Sequence, residues 1–179
     1  ITIASTGGGG GGGGGFILAL GSGIRAGNFS TVTDRYYYPS QGVNYHYWTS
    51  YTTTPVNGTH ATSGDYFSER GIIIPSDCTI KKLHMTFYTS ANNTNSYGMS
   101  LWAATPSYPT STVSDCVYSE VATCSVANDN IYRLNHAENN SLDASLSAGD
   151  ILQPYVVRTA GTQANQYIYF AYSIWAEGA

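Results

Sequence analysis

Few side chains in this 179-residue chain have the types and spacing that chemistry requires. Its four histidines, His46, His60, His84 and His136, are scattered, and their separations predict no local metal site. The acids closest in sequence that could serve as a carboxylate pair for glycoside cleavage are Asp65 with Glu69 and Asp143 with Asp150. Such pairs meet in space rather than in sequence, and an acid in a polar turn is far more often solvated than catalytic. Neither His-Glu-x-x-His nor Gly-x-Ser-x-Gly occurs, and the glycine run lacks the Gly-Lys-Ser/Thr ending of a phosphate loop. The expectation is a protein that is not an enzyme, with no catalytic residues, no metal ligands and no cofactor. Cys78, Cys116 and Cys124 form no zinc spacing and no Cys-x-x-Cys. A Cys116–Cys124 bridge across a hairpin is one arrangement; three reduced, buried cysteines acting as small hydrophobes is the other.

The elements that would carry these residues are strands. Charged residues make up 10% of the chain, well under the usual quarter or so. Tyrosine occurs 16 times, and Ser, Thr, Asn and Gly fill the remaining gap. Half-buried pleated faces favour Tyr, Thr, Val and Ile, whereas disordered chains are charged and poor in aromatics. Net charge is −4, and the longest basic cluster is Lys81-Lys82, so nucleic acid is not an expected partner. The longest clear apolar run, Phe16 to Leu20, is far too short to span a bilayer, so membrane insertion is not expected either.

Gly7 to Gly15 is an unbroken run of nine glycines. Such a run serves either as a flexible linker or, in several copies, as closely packed extended strands. It separates a β-prone leader, Ile1-Thr2-Ile3, from the body, which divides the chain into an N-terminal leader and polyglycine connector over 1–28 and a sandwich over 29–179. Period-two alternation and turn signals predict strands at 31–38, 43–51, 66–74, 79–88, 97–104, 113–121, 131–136, 151–158 and 167–175. Leu83, Met85 and Phe87 share one face, as do Tyr97, Met99 and Leu101. A short turn of helix is allowed for in 121–128 and in 137–147. In the last strand Ile168, Phe170, Tyr172 and Ile174 lie opposite Tyr167, Tyr169, Ala171 and Trp175. Both faces are apolar, which predicts a strand that is central or lies at a subunit interface. The fold class is therefore all-β, an antiparallel jelly-roll-like β-sandwich with a glycine-rich N-terminal tail.

Three segments carry a resemblance. They are Gly71-Ile72-Ile73-Ile74-Pro75-Ser76-Asp77-Cys78-Thr79-Ile80-Lys81-Lys82-Leu83, Leu146-Ser147-Ala148-Gly149-Asp150-Ile151-Leu152, and the closing run from Tyr167 to Trp175. Together they resemble the trimeric jelly rolls of the complement and tumour-necrosis-factor type, and more closely the C-terminal domains of tailed-phage fibre and virion-surface proteins. The resemblance covers 71–90 and 146–179. A simpler account of one motif is local: Gly149 can adopt positive φ in a turn, and Asp150 can bond back to nearby amides.

This resemblance implies a virion structural protein at a virion surface or otherwise extracellular. It would be a fibre or decoration subunit, a homotrimer or higher homo-oligomer that contacts other virion structural proteins. The implied interface residues are Tyr167, Tyr169, Phe170, Tyr172 and Trp175. The dense aromatic stretch with Tyr45, Tyr47, Trp48 and Tyr51 has two readings. It is either a patch contacting a host-surface glycan or protein receptor, or packing within the sandwich. An alternative role is an extracellular, pilus-like filament subunit in which Ile1–Ile3 or Phe16–Leu20 inserts as a strand into a neighbour. Four Asn-x-Ser/Thr sequons, at Asn28, Asn57, Asn92 and Asn139, are expected by chance in such a composition.

Overall fold

The structure is a computed structural model that describes residues 14–25, 35–37, 71–89, 95–106, 116–127, 133–161 and 168–179. Among the described residues ten strands are present: β1 (Gly15–Arg25), β2 (Arg35–Tyr37), β3 (Ile72–Ile73), β4 (Cys78–Thr89), β5 (Ser96–Thr105), β6 (Val117–Ala127), β7 (Asn135–Asn139), β8 (Ala144–Leu146), β9 (Ile151–Ala160) and β10 (Ile168–Gly178). They form two antiparallel sheets. The first has the order β1-β10-β4-β7, with β8 also on β4; the second has the order β2-β9-β5-β6, with β3 also on β9. The chain passes repeatedly from one sheet to the other, the connectivity of a jelly roll. The expected all-β sandwich is what forms, and the described residues contain no helix.

The alternation in the sequence sets which side chains meet between the sheets. Leu83, Met85 and Phe87 of β4 and Tyr97, Met99 and Leu101 of β5 are fully or almost fully buried. Phe87 and Tyr97 meet edge to face across the two sheets, with ring centroids 5.2 Å apart at 70°, so the sandwich is tied at this point by aromatic contact. The core ends on a polar layer, where Asn95 Nδ2 donates to Tyr97 Oη at 3.0 Å and Arg158, across the ladder from Tyr97, is fully buried.

A bulge resets the phase of β4. Trp175 pairs with Lys82 but Ala176 pairs with Ile80, so Lys81 is the extra residue. Because of it Cys78 and Ile80 face inward along with Leu83, a combination that strict alternation forbids. The neighbouring segment holds Lys81 in place. Leu142 N–H donates to its carbonyl at 3.2 Å, and its Nζ meets Asp143 Oδ1 at 2.6 Å.

Two allowances made from the sequence are corrected. Residues 121–127 lie in β6, where Ala122 and Cys124 alternate into the core beside β5. The 137–147 stretch contains the end of β7 and all of β8, both hydrogen-bonded to β4. The ladder and the inward period-two packing outweigh the weak helical tendency of Ala- and Glu-containing stretches. All three cysteines are free. Cys116 and Cys124 lie eight positions apart at and along a single extended strand, a span of roughly 26 Å that no disulfide bridges. Burial pushes the Cys124 thiol up to about 11, so it remains a neutral, small apolar group.

The sandwich begins earlier than composition indicates. β1 starts at Gly15, the last glycine of the run, and pairs along β10 from Gly15↔Glu177 to Arg25↔Ile168. It lies inside the segment read as leader and connector. Glycine at position 15 is demanded by close approach, since a Cβ there would stand 2.5 Å from Trp175 Cε2 and Cζ2. Gly15→Ala is expected to push the indole off the sheet and cost about 1–3 kcal/mol. The same substitution made in a Trp175→Ala background should cost little, which a double-mutant cycle by urea unfolding will read directly.

Candidate assembly surface

The two sheets differ on their outward sides. On the second sheet the outer positions Ser100, Ala104, Gln153, Tyr155 and Val157 of β5 and β9 are buried, with Tyr155 and Ala104 forming a separate apolar cluster, whereas Glu120, Thr123 and Ser125 of β6 are exposed. On the first sheet the outer positions are half-buried or exposed. They run in rows across β10, β4 and β7: Tyr169 beside Tyr88, Ala171 beside Thr86 and His136, Ser173 beside His84 and Glu138, and Trp175 beside Lys82. Tyr88 and Tyr169 are stacked, with centroids 4.5 Å apart and planes 7° from parallel. Trp175 is 36% exposed although it lies on a central strand. The result is an open, mostly uncharged aromatic and hydroxyl surface.

The expected interface residues divide by parity. Tyr169 and Trp175 lie on this outer surface. Phe170 and Tyr172 instead point into the core, where they are 6% and 4% exposed. Burial raises the Tyr172 hydroxyl, which has no hydrogen-bond partner among the described residues. Tyr167 and the aromatic residues Tyr45, Tyr47, Trp48 and Tyr51 lie outside the described residues. β10 itself has β1 on one side and β4 on the other, so the strand is central in its sheet while its apolar outer side stays open.

His84, His136 and Glu138 also meet on this surface. His84 is directly opposite Glu138 on the β4–β7 ladder, and His136 is one step diagonal from it. The two imidazoles stand edge to face at 5.5 Å, His136 Nε2 lies 3.1 Å from Glu138 Oε2, and His84 Nε2 lies 2.6 Å from Asn140 Oδ1. Hydrogen bonds from His136 and Asn140 hold the Glu138 carboxyl below its ordinary range. The sequence separation of His84 and His136 hid this cluster; the period-two spacing of His136 and Glu138 was the only local sign of it.

The remaining candidate acids have other partners. Asp143 pairs with Lys81. Asp150 is 7% exposed; its Oδ2 accepts from Ser147 N–H at 2.8 Å and its Oδ1 from Thr105 Oγ1 at 2.9 Å, closing a turn in which Gly149 has φ 92°. Asp65 and Glu69 lie outside the described residues. Among the described residues no helix is long and apolar enough to cross a membrane.

No protein-family model matches the chain, and no curated protein matches it in sequence. Solved structures do match in shape. The Eiger TNF of S. frugiperda is 14% identical, with 87% of this chain and 93% of that chain covered and a TM-score of 0.37. A Desmodium yellow mottle tymovirus chain is 12% identical over 89% and 87% of the two chains, at a TM-score of 0.22. A mud crab dicistrovirus chain is 13% identical over 92% and 70%, also at 0.22. At such identities and scores the likeness goes no further than strand architecture.

Proposed function

We propose that this chain is a virion structural protein, a phage fibre or surface-decoration subunit that works by assembling as a homotrimer rather than by catalysis. The observation that carries this reading is the asymmetry between the two sheets. On β5 and β9, central in one sheet, the outer positions are mostly buried, while β10 and β4, central in the other, present Tyr88, Tyr169, Ala171, Ser173 and Trp175 with little charge to repel a sister copy. Interfaces are enriched in Tyr and Trp and depleted in charge at their centres, as this surface is.

The motifs behind the sequence resemblance add support, because the fold brings two of them together. Ile74 N–H donates to Asp150 O, Gly149 N–H donates to Ile74 O, and Ala148 N–H donates to Asp77 Oδ1, each at 2.8 Å. Residues 71–83 and 146–152 thus form one interlocked unit. A virion-surface location and contact with a host glycan or protein follow from the same reading. Antibodies to the folded chain should decorate intact particles from its source; particles that contain the chain but stay unlabelled would overturn a surface role.

The pilus-like alternative has one observation to meet. Phe16–Leu20 lies in the chain's own β1, paired with β10, so a donor strand made of it would first have to leave its own sandwich. Polymers visible by electron microscopy in the purified chain, absent at low concentration and lost on deleting residues 1–25, would favour that reading.

A further inference from the structure

We propose that His84, His136 and Glu138 form a binding site for one divalent transition-metal ion of the zinc type on the outer face of the β1-β10-β4-β7 sheet. One ligand atom from each of the three lies within 4.8 Å of the other two. Donors around a zinc ion, each about 2.0–2.1 Å from it, stand roughly 3.3 Å apart. Small side-chain rotations of half-buried or exposed groups therefore bring the three donors onto one ion. Two imidazoles and a carboxylate are a borderline-soft set that suits zinc, nickel or copper better than calcium or magnesium.

The scaffold favours such a site. All three residues stand on paired strands, whose ladder fixes the Cβ positions more firmly than a loop would. None of them is needed by the core, since all three point outward. In a chain with four histidines and 10% charged residues, two histidines and a glutamate on one patch is a concentrated use of scarce groups. Asn140, in contact with His84, completes the polar surround. A depression of about 310 Å³ adjoins the cluster, lined by His84, Thr86, His136, Ala171 and Ser173, which leaves room for water in the remaining coordination position. The ion would replace the contacts of His136 with Glu138 and of His84 with Asn140, neither of which belongs to the core.

The site lies on the face that the assembly reading uses, but all three donors come from one chain, so its test, made on the full chain, does not depend on assembly. Protein stripped by a chelator is titrated with Zn²⁺ by calorimetry, and with Co²⁺ by its visible absorption, at neutral pH. The expected result is one equivalent of Zn²⁺ per chain and intense Co²⁺ bands. Both signals should be lost in His84→Ala and in His136→Ala, and the affinity should fall at least about tenfold in Glu138→Gln. A His46→Ala/His60→Ala variant should bind as the unaltered chain does. Circular dichroism and the thermal midpoint show that each outward-facing variant is folded. Failure of the unaltered chain to bind stoichiometrically, or binding that survives loss of both His84 and His136, would overturn the site and leave only a hydrogen-bonded surface cluster.

Discussion

Phe87→Ala is expected to cost about 3–5 kcal/mol, a large part of what a domain of this size has in reserve. Phe87 is completely buried on β4, the strand that pairs with β10, β7 and β8. Its removal loses the apolar transfer energy of the ring, leaves a cavity between two sheets that cannot close freely, and ends the edge-to-face contact with Tyr97. The thermal midpoint should fall by on the order of 10 °C. Calorimetry of the variant beside Lys82→Ala, an exposed position on the same strand, separates core packing from a general effect on β4. The second substitution should change stability by no more than about 0.5 kcal/mol.

The turn at Asp150 should be nearly as sensitive. Asp150→Ala removes the acceptor for Ser147 N–H and Thr105 Oγ1 together, and loosens the junction where Gly149, Asp150 and Ile74 exchange main-chain hydrogen bonds. Hydrogen bonds to a charged acceptor are worth about 1.5–3 kcal/mol, and the threonine hydroxyl can regain water, so a loss of about 2–3 kcal/mol is expected. Asp150→Asn keeps one carbonyl oxygen and should recover part of it. Urea unfolding measures both; a loss within error for Asp150→Ala would show that β3 and β9 are held by their ladder alone.

How far the sequence disclosed this structure depends on the range of the interaction involved. Period-two alternation is local, so the inward faces of β4 from Leu83 onward, β5 and β10 were legible, and with them the layered fold. The Lys81 bulge was not, because it exists only in the register between β4 and β10. β1 was concealed by glycine, whose composition reads as a connector until Trp175 is seen lying against Gly15. The turn role of Gly149 and Asp150 was written in four adjacent residues and was readable. The outer surface was half readable: parity placed Tyr169 and Trp175 together, but His84 and His136 come from strands whose pairing no spacing encodes. Phe170 and Tyr172 share the inward parity of β10 and pack in the core, which a strand apolar on both faces did not disclose.

The central claim is that the open face of the β1-β10-β4-β7 sheet joins copies of the chain, and sedimentation equilibrium of the full chain with and without Ala171→Arg tests it most directly. The outward position of Ala171 lets the arginine be accommodated in the monomer while placing charge at the centre of the surface. The account predicts three times the chain mass for the unaltered protein and the single chain mass for the folded variant. An unaltered protein that sediments as a monomer, or a variant that assembles as well as its parent, would contradict it.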